Sequence, residues 1–142
     1  MPQVDYQSVL PHPAEAVFDL VADVERYPEF LPGWQAARIV DRQDNVLTVE
    51  QTLGGWGFGW RFHTRATLDR PASIHIETEE HPFERLSELW RFEALDDSRT
   101  RLVLHADYQL NDFPLHRLMH AVLEEALRET MEAFRQRADE KL

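Results

Sequence analysis

The sequence predicts an α+β domain: an antiparallel sheet of about seven strands, curved around a long C-terminal helix, with the helices on one face. Three observations predict it. From Trp34 to Leu110 the hydrophobic pattern runs with a period of two, broken only by short turn signals. After Leu110 the period changes, and one amphipathic helix is expected from Pro114 to about Asp139. No repeat, low-complexity tract or linker divides the chain, and 142 residues suit one domain, here taken as 1–142.

The elements follow in order. Residues 3–9 (QVDYQSV) form a brief first strand. In "PHPAEAVFDLVADVERYPEF", Pro13 suits a first helical turn, and Val17, Leu20, Val21 and Val24 keep i, i+3, i+4, i+7 spacing. Pro28, Pro32 and Gly33 then break the helix into a short turn and a loop. Turn signals at 42–45, 54–57, 69–73, 80–84 and 96–99 cut the remainder into about six strands, joined closely enough for antiparallel hairpins. Asn111 or Asp112 can cap the last helix, and Leu115, Leu118, Met119, Val122, Ala126, Met131 and Phe134 give it an apolar stripe. At 1.5 Å per residue it reaches roughly 39 Å, enough to cross a whole sheet.

Composition narrows the function classes. The formal net charge of −11 repels phosphate backbones and anionic lipid, so direct nucleic-acid binding is not expected. There is no cysteine, which removes disulfides, thiolate metal sites and a cysteine nucleophile. The N-terminus lacks the basic and apolar regions of a signal peptide, and no apolar run approaches the length of a membrane span. A cytoplasmic location is expected, with the inner membrane as a place of transient contact.

Strand alternation assigns the faces. Leu47, Val49, Gln51 and Leu53 share one face. So do Ile74, Ile76 and Thr78; Leu86, Glu88, Trp90 and Phe92; and Leu102, Leu104, Ala106, Tyr108 and Leu110. The stretch GGWGFG at 54–59 holds four of the five glycines, yet it follows the same rule. Trp56, Phe58, Trp60 and Phe62 alternate with Gly55, Gly57, Gly59 and Arg61, which is the pattern of a strand. A phosphate-cradling loop would open a helix within a βαβ unit, and here an antiparallel strand follows. The glycine row lets the strand bend and another backbone approach. Each aromatic taken alone is explained as core. The set, with Glu88 and Gln51 as polar intruders, also suits the lining of an apolar ligand cleft. Phe30, Leu31 and Trp34 from the loop and Val122 and Ala126 from the helix complete the candidate lining.

The string "VFDLVADVERYPEFLPGW" (17–34), with "TRATLDRP" (64–71) and "HPFERLSELWRFEAL" (81–95), resembles the START-like superfamily of polyketide cyclases and lipid-transfer domains. Within it the chain looks most like the coenzyme Q-binding START-domain family and its bacterial relative, the ribosome-association toxin family. The resemblance covers about residues 3 to 138. It implies a helix-grip fold with a hydrophobic tunnel between sheet and helix. Its members bind polyisoprenoid quinones or other hydrophobic molecules, so a bound ubiquinone or other isoprenoid lipid is implied. The toxin branch implies contact with the large ribosomal subunit, and the cyclase branch an enzyme that guides ring closure. Two departures bear on the ligand. Glu88 stands where relatives often carry an amide between Leu86 and Trp90. Gly55, Trp56 and Gly59 stand where relatives tend to carry basic residues, which favours an apolar ligand or membrane contact.

Other chemistry has less to rest on. His116 and His120 have the i, i+4 spacing of a metal pair, but "HRLMH" lacks the glutamate of H-E-x-x-H and shows no third ligand. No G-x-S-x-G motif is present. Glu88 is the one carboxylate that alternation turns inward. Burial beside Trp90 would raise its pKa, making it the candidate general acid of a cyclase-like enzyme. The expected function is non-catalytic binding of a hydrophobic small molecule, with ribosome association and polyketide cyclisation as the alternatives.

Overall fold

The computed structural model describes residues 3–55, 58–81, 83–110 and 116–142, and their side chains except at 55, 58, 116–120 and 122. The expected caps Asn111 and Asp112 lie outside the described residues.

The elements are β1 (Gln3–Leu10), α1 (Ala14–Ala22), a 3₁₀ helix (Val24–Glu29), β2 (Trp34–Gln43), β3 (Val46–Gly55), β4 (Phe58–Asp69), β5 (Ser73–Thr78), β6 (Phe83–Asp96), β7 (Arg99–Leu110) and α2 (His116–Lys141). The strands make one sheet in the order β1-β7-β6-β5-β4-β3-β2, antiparallel throughout. This is the expected α+β helix-grip architecture. Pro13 sits one residue earlier than expected, just before the first helical residue, where its carbonyl accepts the Val17 N–H at 3.1 Å. The helix stops short of Val24, which opens the 3₁₀ turn leading to Pro28.

Register shifts in β2–β3, at Trp34/Ala36 and Ile39/Asp41, and in β6–β7, at Phe83/Arg85 and Ala94/Asp96, mark places where a bulge bends a strand. The hairpin that contains the glycine row pairs Gly54 with Gly59. A Cβ at Gly59 would lie 2.8 Å from Oε1 of Gln35 and 3.2 Å from Cγ2 of Thr52. At Gly59 the approach that glycine permits is therefore by side chains, while at Gly54 it is by backbone, the Gly33 carbonyl accepting the Gly54 N–H at 2.9 Å.

The space between sheet and helices is filled unevenly. On one side, Val17, Phe18 and Val21 of α1 and Met131, Phe134 and Ala138 of α2 are buried with Phe92, Leu102, Leu104 and Ala106 of β6 and β7. Phe18 meets Phe92 edge-on at 5.1 Å. Further toward the start of α2, Leu123 and Leu127 are half-buried and Ala126 is exposed. That half of the helix is tied to β1, where the Tyr6 hydroxyl donates to the Glu124 carbonyl at 3.1 Å, and it faces residues of β3, β4 and β5 across an open space.

Candidate functional site

The room is an apolar cavity of about 140 Å³. Its sheet wall includes Val49, Gln51 and Leu53 of β3, Phe62, Thr64 and Ala66 of β4, Ile76 of β5, Leu86, Glu88 and Trp90 of β6 and Tyr108 of β7. Leu123, Ala126, Leu127, Thr130 and Phe134 of α2 cover it, and Tyr27, Leu31 and Trp34 close one end.

The closed end is an aromatic cluster. Tyr27 meets Trp34 at 5.0 Å and Phe134 at 5.4 Å, and Phe134 meets Trp90 at 5.4 Å, all edge to face. Offset and edge-on ring pairs add to their area burial, so this end is the rigid one. The Tyr27 hydroxyl donates to the Val21 carbonyl, which fixes the 3₁₀ turn against the end of α1.

Few polar groups enter this space. Thr64 Oγ1 donates to Gln51 Oε1 at 2.9 Å, with both residues buried. That bond satisfies one end of the Gln51 amide, whichever way the amide is turned. Trp90 Nε1–H donates to Glu88 Oε1 at 3.1 Å. Burial raises the Glu88 pKa against the lowering effect of the Trp90 bond. The Tyr27 hydroxyl is also held neutral, first by burial and then by the nearby Glu88 charge. Tyr108 is pushed up to about 12 by burial, with Glu124 and Tyr6 adding to it. Each of these groups is driven toward its neutral form, because a low-dielectric space disfavours charge. The cavity therefore suits a neutral ligand with an apolar body and one or two hydrogen-bonding groups.

Of the residues expected in the site, Leu31, Trp34, Gln51, Phe62, Glu88, Trp90, Tyr108 and Ala126 lie together around the cavity. Phe30 does not reach it. Its ring packs behind the wall, 5.7 Å from Phe134, with the Arg137 guanidinium 4.7 Å above it. Trp60 also stands off the cavity. Its cross-strand partner Leu53 lines the cavity, whereas Trp60 does not and is 36% exposed. Trp56 and the side chains of Phe58 and Val122 lie outside the described residues, as do those of His116 and His120. Among the described residues no cluster of three or more His, Asp or Glu side chains is arranged to hold a metal ion.

The lining also includes residues not expected there from the sequence, among them Tyr27, Phe83, Thr64, Phe134, Leu123 and Leu127. Phe134 was on the predicted apolar stripe, and Thr64 and Phe62 shared a face, so both had a signal. Tyr27 had none beyond being an aromatic beside a proline.

Comparison with known proteins follows from this geometry. The sequence pattern of the family described as "Polyketide cyclase / dehydrase and lipid transport" matches residues 10–135. The chain is 33% identical over 135 residues to a Pseudomonas aeruginosa protein named "Ribosome association toxin RatA", covering 95% of this chain and 94% of that one. Among solved structures it superimposes on the Zhui aromatase/cyclase from Streptomyces sp. R1128 with a TM-score of 0.88 at 22% identity, covering 97% and 93% of the two chains. A START superfamily protein from Mycobacterium smegmatis gives 0.86 at 16% identity, covering 99% of each. These two likenesses concern the fold.

Proposed function

This chain belongs to the polyketide cyclase / dehydrase and lipid transport family, and on that premise we propose that it binds a hydrophobic small molecule, an isoprenoid quinone or comparable lipid, and carries it without chemical change. The observation that supports this reading most is the apolar cavity between sheet and α2, with Gln51 and Glu88 as its polar contacts.

The size of the cavity shapes the proposal. At about 140 Å³ it is close to the roughly 150 Å³ that takes up benzene in an engineered cavity, so it seats one ring. A ring buries about 200 Å². At ~25 cal/mol per Å² this gives about 5 kcal/mol, comparable with the lower end of association costs. A ring alone therefore binds weakly. Useful affinity requires a tail lying along the rim formed by Leu123, Ala126 and Leu127, whose incomplete burial leaves apolar surface there. Mass spectrometry of an organic extract of gently purified protein tests the reading: a co-purifying isoprenoid lipid supports it. An empty extract, together with no response to added ubiquinone, refutes it.

A second reading is association with the ribosome, favoured by the name carried by the relative at 33% identity. The outer sheet face exposes Arg38, Arg61, Arg65, Arg85 and Arg91, but Arg38 pairs with Glu50 and Arg91 with Glu93 there, and the net charge of −11 works against RNA contact. Sedimentation with ribosomes through sucrose separates the readings: co-migration supports association, and retention at the top of the gradient excludes it.

A further inference from the structure

The outer face of the sheet carries an opening of its own. β5 has six residues, between twelve in β4 and fourteen in β6. Its pairing with β4 ends at Arg65↔Glu77, and its pairing with β6 ends at Thr78↔Leu86. Past those pairs no strand among the described residues lies between β4 and β6. A polar crevice of about 550 Å³ opens there. Thr64 and Leu86 border this crevice, and both also line the inner cavity. A hydrogen-bonded ladder separates the two faces of a sheet. Residues whose side chains belong to the inner face border an outer crevice where that ladder is interrupted.

Side chains close the interruption in place of backbone. The Thr78 hydroxyl donates to the His63 carbonyl at 2.6 Å and accepts the Glu80 N–H at 3.2 Å. The Glu80 carboxylate accepts the His63 N–H at 3.0 Å. These bonds satisfy backbone groups of β4 that a longer β5 would otherwise pair. Thr78 itself is buried, at 8% exposure, so it fills the gap as well as bonding across it.

We propose that this gap is a side port of the cavity, stoppered by Thr78, through which water and the polar end of a bound amphiphile reach the outer face. The port leads to the Gln51–Thr64 pair, the polar part of the β3–β4 wall. Its outer rim, with Arg65, Arg85 and Glu77, is charged and therefore suits a hydrated group rather than a lipid tail. The role of the port in ligand binding rests on the reading of the cavity given above; its existence does not.

The chain has no cysteine, so a single introduced thiol reports one position. Thr64→Cys and Ala66→Cys are both buried, on the same face of β4. Position 64 lies at the gap, and 66 is covered by its pairing with Ile76. The measurement is the rate of modification by a positively charged methanethiosulfonate reagent, without ligand. The thiol at 64 is expected to react at least about tenfold faster than the one at 66. Adding Thr78→Ala removes the stopper's hydrogen bonds and is expected to raise the rate at 64 about tenfold further. It should leave 66 unchanged, and Thr78→Ser should restore the slow rate. Equal rates at 64 and 66 overturn the proposal. So does a rate at 64 indifferent to residue 78, or a rise at both positions together. The assay uses no ligand, so failure to find a bound lipid and failure to find the port are separate results.

Discussion

Replacing Ala66 by leucine is expected to fill the cavity from its floor. Ala66 is 3% exposed, lies between Leu47 of β3 and Ile76 of β5, and lines the cavity. An empty apolar space of about 140 Å³ corresponds to ~3 kcal/mol of stability forgone, at about 24 cal/mol per Å³. Leucine adds three carbons to the side chain, worth about 2.4 kcal/mol at ~0.8 kcal/mol each. Imperfect fit returns about 1–3 kcal/mol as strain. The balance runs from a loss of about 0.6 to a gain of about 1.4 kcal/mol, so Tm should rise by no more than roughly 3–6 °C in a domain of this size. The same atoms occupy the seat of the ring, so quinone affinity should fall by tenfold or more. Thermal unfolding measures the first effect and titration with a short-chain ubiquinone the second. A variant at least as stable as its parent that binds quinone with unchanged affinity would refute the reasoning, because the ligand would then sit elsewhere.

Three further outcomes are expected. Glu88→Gln should stabilise the ligand-free protein at neutral pH. Because burial raises the folded pKa of Glu88 above its ordinary 4.5, its contribution is fully present below that value and is lost as pH rises through the raised folded value. Urea unfolding at pH 4 and pH 7.5 checks this, and an equal difference between variant and parent at both pH values contradicts it. Phe134→Ala removes the ring shared by Tyr27, Phe30 and Trp90 and should cost about 3–5 kcal/mol by denaturant titration; a loss below ~1 kcal/mol would show that the cluster is not the rigid end of the cavity. Trp60→Ala, at a position off the cavity, should leave quinone affinity within twofold; a large loss of affinity would place the ligand at the hairpin.

The inner face was legible because period two leaves little choice. Once Trp90 and Leu86 point inward, Glu88 must as well, and Gln51 follows Val49 by the same rule. The long apolar stripe similarly announced α2. Alternation names a face but not how far the covering elements extend, so it could not show that Trp60 is exposed while Phe62, two residues on, is buried. It also could not show Tyr27, which enters the cavity from a 3₁₀ turn where neither the helical nor the strand period applies. The shortness of β5 relative to β4 and β6 was present in the turn spacing. Its consequence, the gap between Thr64 and Leu86, appears only when the register of three strands is known together.

On the proposed reading, the ligand lies in the cavity between sheet and α2. A crystal structure of the protein purified under mild conditions and supplied with ubiquinone tests it most directly. The expected result is density for a ring between Phe62 and Trp90, within hydrogen-bond distance of Gln51 or Glu88, with its tail leaving past Leu127. Ubiquinone bound at another surface, with the cavity empty, would contradict it.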